Sequence, residues 1–162
     1  MKVKGSAASY LLVTWVMWAV SAGVAWAGPS EFSPPGEKAR CVVCGMFVEP
    51  YPAWVAEVVL EGAAPYYFDG PKDLFRYLEE RDKYHPGEKV PPVAAIFVTE
   101  YYTQQHLAAE EVFFVAGSDV LGPMGHELVP VAGEQSLQTF LQDHGGNKVM
   151  VYRDMKLTEV MN

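Results

Sequence analysis

The spacing of apolar positions beyond residue 50 predicts strands of β-branched residues and two amphipathic helices. In the first half, Asp69 is predicted to be the N-cap of a helix that carries Pro71 in its first turn. Leu74, Phe75 and Leu78 lie at helical spacing and form its inward stripe. The predicted elements of this half are strands at 54–60, 66–68 and 93–98, a helix at 71–80 and a loop at 82–92.

The second half repeats this order of elements. Its helix places Leu137, Phe140 and Leu141 on one face and ends at a Gly145-Gly146 C-cap signal. The predicted elements are strands at 112–115, 124–131 and 148–152 and a helix at 134–143, after a linker at 99–111. The pattern therefore predicts an α+β fold of two ββαβ modules, at about 41–98 and 112–155, with two small sheets.

The N-terminal segment has the layout of a secretory signal peptide. Positions 5–30 contain no charged residue, two lysines precede an apolar run, and the sequence Ala-Trp-Ala follows at 25–27. An uncleaved helix could span a bilayer, but helix-breaking Gly28 and Pro29 favour cleavage. We predict that residues 1–27 are removed and that the remainder is exported, to the periplasm in a bacterium.

The residues after the predicted cleavage point form a leader and one domain. Residues 28–40 are rich in Pro, Gly and Ser and predict a flexible leader before a domain at 41–162. The exported part has 10 basic and 20 acidic residues. This excess of negative charge argues against nucleic acid and anionic lipid as partners, whereas it would not repel a cation.

The chain has two cysteines, at positions 41 and 44. A disulfide between them would restrict the unfolded chain very little, and a domain of this length does not need one to fold. The pair therefore indicates a chemical role for the thiols and not a structural disulfide. Together with the thioether of Met46, two thiols form a soft-donor cluster of the kind that selects Cu(I). A redox pair, a zinc site and a core methionine at position 46 remain alternatives.

A second candidate group is the Met124–His126 segment. Met124 lies between a Gly-Pro turn and another glycine, without apolar neighbours, and should project from a loop. In an extended segment His126 would point to the same face, although a buried structural histidine is the alternative. Asp69 and Asp73 are four residues apart, but with Asp69 as a cap no paired-carboxylate site is predicted. No catalytic motif of a hydrolase, a phosphate-binding enzyme or a zinc protease is present, so we predict no enzyme.

These motifs resemble those of the NosL family, accessory proteins of nitrous oxide reductase. The resemblance implies a periplasmic Cu(I)-binding chaperone that supplies copper for the reductase's copper–sulfur cluster. It implies a copper-donating protein and the reductase or its maturation machinery as partners, and a two-module fold similar to that of organomercurial lyase. The matching stretches are Cys44-Gly45-Met46, Phe68–Asp73, Val120–Pro130 and Asp143–Gly146.

The family's soft ligands correspond here to Cys44, Met46 and Met124, with His126 as a further candidate. Cys41 lies outside the most widely shared part of the motif, and zinc is a candidate second metal. Many family members carry a lipid on an N-terminal cysteine, and this chain has no cysteine near the predicted cleavage point, so we predict no lipid anchor. The alternatives are a thiol–disulfide oxidoreductase using Cys41 and Cys44, and a structural zinc domain.

Overall fold

The computed structural model describes residues 31–161 and shows a mixed α+β architecture with two four-stranded antiparallel sheets. The predicted signal peptide, residues 1–27, lies outside these residues. None of the helices within 31–161 has the length and apolar character needed to span a bilayer. The first half consists of strands β1 (Ala56–Leu60), β2 (Tyr66–Phe68), β3 (Val93–Thr99) and β4 (His106–Ala108) and helices α1 (Pro71–Glu79) and α2 (Arg81–Tyr84).

The second half builds the other sheet and a separate small hairpin. Its elements are strands β5 (Phe113–Ala116), β6 (Leu121–Gly122), β7 (Gly125–His126), β8 (Val129–Val131), β9 (Lys148–Arg153) and β10 (Lys156–Met161) and helix α3 (Glu134–His144). The strand orders are β2-β1-β3-β4 and β10-β9-β5-β8, while β6 pairs with β7. Each of these two sheets has four strands, one more than the predicted ββαβ order contains.

The two additional strands were not predicted, for different reasons. β4 lies in the stretch predicted as a linker. Its three residues, His106–Ala108, include no β-branched side chain, and they become a strand by pairing with β3. α2 similarly occupies the start of the predicted loop at 82–92. β10 pairs with β9 beyond the last predicted strand and is exposed along almost its whole length.

Both long helices confirm the predicted amphipathic pattern, but the predicted N-cap of α1 is corrected. α1 buries Leu74 and Phe75, and α3 ends before Gly145, whose φ of 67° is left-handed and whose N–H donates to the Leu141 carbonyl. The prediction that Asp69 caps α1 is wrong. The N-cap position is Gly70, which makes no side-chain cap bond because it has no side chain.

A hydrophobic core to which both halves contribute joins them, and a second cluster of buried residues lies in the second half. The Phe75 ring of α1 packs against Phe114 of β5, with centroids 4.9 Å apart, and against Tyr152 of β9 at 5.6 Å. The buried carboxylate of Glu100 accepts a hydrogen bond from the backbone N–H of Ala132, which adds a polar link between the halves. Because the halves share a core, residues from both can form a single site.

The segment predicted as a flexible leader packs against the first sheet over its described part. The Ser33 N–H donates to the Glu57 carboxylate at 3.0 Å, and the Tyr67 hydroxyl donates to the Ser33 carbonyl at 2.8 Å. The Phe32 ring stacks on His106, with centroids 3.6 Å apart. Burial beneath this segment raises the pKa of Glu57 above its usual range. The leader therefore covers one face of the sheet.

Candidate metal site

Residues 41–46 form a tight turn that brings the two cysteines together. The Gly45 N–H donates to the Cys41 carbonyl at 2.9 Å, and the Cys41 N–H donates to the Met46 carbonyl at 2.8 Å. Gly45 has a φ of 77°, a left-handed conformation that glycine adopts without strain. The turn leaves Cys41 buried and Cys44 half-buried, both as free thiols.

Two carboxylates from the start of α1 face these thiols. Cys41 Sγ–H donates to Asp73 Oδ2 at 3.5 Å, and Cys44 Sγ–H donates to Asp69 Oδ1 at 3.3 Å. One ligand atom from each of these four residues lies within 4.8 Å of the others. That spacing is compact enough for a single metal ion to contact several of the four groups.

The charge balance of the cluster favours a cation. Asp69 and Asp73 are only 1% and 4% exposed. Within residues 31–161 neither forms an ion pair with a basic side chain, and Asp69 Oδ2 is buried without a hydrogen-bond partner. Buried carboxylates are costly unless a positive charge compensates them. The four residues are therefore better explained as a metal site than as buried polar groups without a compensating cation.

Both thiols are held in their protonated form when no metal is bound. Burial raises the pKa of Cys41 far above its usual range, and the nearby Asp69 carboxyl adds to this effect. Burial also raises the pKa of Cys44, although less of that side chain is covered. Thiolate, the form that binds metal, must therefore be produced by the incoming cation, which displaces the proton.

The structure brings some of the predicted site residues together. Cys41 and Cys44 are in the cluster, and Met46 is half-buried in the same turn. His126 is exposed and lies outside the four-residue cluster, and Met124 is 51% exposed. Metal binding by Met46, Met124 and His126 stays a prediction.

The segment that carries Met124 and His126 is a hairpin, not the predicted strand at 124–131. Pro123 and Met124 form its two-residue turn, so the argument that Met124 and His126 share one face of a strand does not hold. The hairpin nevertheless reaches the cluster's helix, because Lys72 Nζ of α1 donates to the carbonyl of His126 at 2.5 Å and weakly to that of Met124 at 3.5 Å.

The sequence interpretation missed Asp69 and Asp73 as site residues. Their four-residue spacing at the start of a predicted helix was visible, but an aspartate before a helix is more commonly a cap. In the structure the Asp69 carboxylate turns toward Cys44 instead. At the start of the helix, the Lys72 N–H instead donates to Glu127 Oε1 at 2.6 Å.

Replacing Gly70 by alanine tests this close approach. A Cβ at position 70 would overlap the Glu127 carboxylate, whose other oxygen is held by the Lys72 and Leu128 N–H groups. We expect Gly70→Ala to lower the free energy of unfolding by about 1–3 kcal/mol through overpacking. Urea denaturation would measure it, with Gly36→Ala as the control because a Cβ there meets open space. Equal effects of the two substitutions would contradict the close packing at Gly70.

Comparison with known proteins agrees with the mixed α+β fold. The chain is similar to the copper chaperone NosL from Shewanella denitrificans, with 21% identity over 80% of this chain and 97% of that chain and a TM-score of 0.64. The apo-NosL protein from Achromobacter cycloclastes is 26% identical over 61% of this chain and 82% of that one, with a TM-score of 0.43. No curated protein matches. The NosL family model matches residues 33–160, which include the cysteine turn, both sheets and the hairpin. The chain therefore belongs to the NosL family.

Proposed function

We propose that this protein is an exported Cu(I)-binding metallochaperone that supplies copper for assembly of the copper–sulfur cluster of nitrous oxide reductase. The observation that carries the proposal is the cluster of two free thiols beside two buried carboxylates, with ligand atoms within 4.8 Å of one another. Membership of the NosL family supports it, as does the description of the Shewanella denitrificans protein as a copper chaperone.

Cu(I) is a soft ion and prefers thiolate and thioether donors. We assign the Cys44 thiolate and the thioethers of Met46 and Met124 as its ligands, with His126 and Cys41 as additional candidates. Asp69 and Asp73 are hard donors that suit Cu(I) poorly. Each is placed to accept the proton that its cysteine partner releases when the metal binds.

The exposure of the site supports a transfer role rather than enzymatic turnover. Cys44 is half-buried and Met124 is exposed, so the ligands of a second protein can approach the metal from outside. The excess of acidic over basic residues in the exported part, 20 against 10, favours the approach of a cation and an encounter with a basic surface. The partners are a copper-donating protein and the reductase or its maturation machinery, which export to the periplasm would bring together.

A thiol–disulfide oxidoreductase would need a different electrostatic environment. Its attacking cysteine requires a lowered pKa, whereas burial raises the pKa of both Cys41 and Cys44. Zinc is better supported as the second candidate, because two thiols with two carboxylates are a donor set that zinc accepts. Since both sheets share one core, we expect the metal-free protein to stay folded.

The first experiment is a Cu(I) titration of the reduced domain, residues 28–162, against a competing Cu(I) chelator. We expect one tightly bound Cu(I) per chain. Absence of Cu(I) binding together with a readily cycled disulfide would favour the oxidoreductase. Tight zinc binding with unfolding on chelation would favour the structural zinc role.

Met124→Leu removes the thioether and keeps the volume of the side chain. Because a soft donor would be lost, we expect the Cu(I) affinity to fall by at least about tenfold, the lower end of the cost of disturbing a metal site. Met155→Leu is the matched control, since Met155 is similarly exposed, at 60% against 51%, and lies in the β9–β10 turn. An affinity equal to that of the control would remove Met124 from the site.

A further inference from the structure

The β6–β7 hairpin depends on contacts outside itself for its position. Each strand has two residues, and the two pair only with each other, apart from both four-stranded sheets. An isolated two-stranded pair of this length is at best marginally stable. Its place on the protein must therefore come from side chains that connect it to neighbouring elements.

Lys72 supplies one such connection. It lies in the first turn of α1, next to Asp73, and its ammonium group donates to the main-chain carbonyls of His126 and Met124. In the proposed function, Met124 is a copper ligand and His126 is an additional candidate. Lys72 forms no ion pair with a side chain anywhere in 31–161, so its charge is directed at the hairpin backbone.

Glu127 supplies the second connection, in which a side chain next to the hairpin binds the backbone of α1. It follows His126 directly and is 5% exposed, and its Oε1 accepts the backbone N–H groups of Lys72 at 2.6 Å and of Leu128 at 2.9 Å. The carboxylate approaches so closely that a Cβ at position 70 would overlap it. The N-terminus of α1, which lacks a cap of its own, is thus capped from the hairpin.

We propose that Lys72 and Glu127 form a reciprocal clamp that positions the hairpin for metal binding. The clamp fixes the hairpin to the helix turn that carries Asp73, so it determines whether Met124 and His126 reach a Cu(I) bound at Cys44. Lys72 and Glu127 are positioning residues and not ligands. This inference rests on the proposed copper-binding function.

Lys72→Leu tests the clamp, because leucine keeps part of the aliphatic stem, removes the ammonium and adds no thioether that could bind Cu(I). We expect faster hydrogen exchange of the amides in 119–128 in the metal-free protein, and a Cu(I) affinity lower by about tenfold, the usual cost of losing a residue that orients a ligand. Lys72→Arg should preserve most of both. Lys148→Leu is the control, since Lys148 pairs with Glu159 on the other sheet.

Combining Lys72→Leu with Met124→Leu separates positioning from a general effect on the fold. If the clamp acts through Met124, the second substitution costs less Cu(I) affinity in the Lys72→Leu protein than in the wild type. A purely structural role for Lys72 predicts additive losses of Cu(I) affinity. Additive losses, or wild-type hydrogen exchange in Lys72→Leu, would overturn the proposal. If the wild type bound no Cu(I), the proposed function and the metal role of the clamp would both fail, while hydrogen exchange would still decide whether Lys72 holds the hairpin.

Discussion

Replacing Cys44 by serine is expected to lower the Cu(I) affinity by more than about a hundredfold, because even residues that only orient a ligand contribute 10–100-fold. Cys44 is the more accessible of the two thiols and is the cysteine followed directly by the Gly45-Met46 pair. Serine keeps the size of the side chain but offers a hard oxygen in place of a soft thiolate. The measurement is competition against a Cu(I) chelator under reducing conditions.

Cys41→Ser is the informative comparison for this substitution. The resemblance leaves Cys41 outside the most widely shared part of the family motif, as an additional candidate ligand, whereas the structure places its thiol within the four-residue cluster, buried beside Asp73. If Cys41→Ser lost little Cu(I) affinity and Cys44→Ser lost much, copper would be assigned to Cys44 and the methionines. Equal large losses would make both cysteines ligands. Wild-type affinity in Cys44→Ser would contradict the proposed site.

The pH dependence of copper binding follows from the same thiols. Burial raises the pKa of Cys44, so a proton must leave before the thiolate can bind the metal. The Cu(I) affinity of the wild type should therefore fall as the pH is lowered. Cys44→Ser should lose most of this dependence.

Substituting Glu127 by glutamine is expected to raise the free energy of unfolding of the metal-free protein by about 3 kcal/mol at pH 8, given about 1.4 kcal/mol for each pKa unit. Burial raises the pKa of Glu127 from 4.5 to about 7. Between these two values the native protein keeps a proton that the unfolded chain has released. The contribution of Glu127 to stability is therefore complete below pH 4.5 and is lost as the pH rises through 7.

The test is urea denaturation of Glu127→Gln and the wild type across pH 4–8 with a metal chelator present. Glutamine retains an oxygen acceptor for the Lys72 and Leu128 N–H groups and cannot ionise. We expect the two proteins to be similar at pH 4 and to diverge as the pH rises. Glu37→Gln, at an exposed carboxylate of the leader, is the control. A stability difference that does not change with pH would contradict the buried ionisation of Glu127.

Such a gain in stability would mean that Glu127 is retained for its position and not for stability. Its carboxylate caps α1 and connects the hairpin to Lys72, while its burial opposes ionisation. Groups that weaken a fold are commonly found where function requires them. Glu127 would then be a group of this kind.

The helices and main strands could be predicted because their signals are local. The inward stripe of α1 and the glycine that ends α3 depend on neighbours within a few residues, and both are present as predicted. β4 could not be predicted, since only pairing with β3 makes its sequence extended. Asp69 was misassigned because a local capping rule competed with a contact to Cys44, which lies 25 residues away.

The sequence by itself determined the soft donors, the α+β pattern and the family resemblance, because each depends on residue identity and short spacing. The tertiary structure alone decided that two buried carboxylates face the cysteines, and that Lys72 and Glu127 join the hairpin to α1 across 55 residues of chain. Those contacts arise from the packing of two halves around one core. No local periodicity encodes that packing, because it depends on which distant surfaces bury each other.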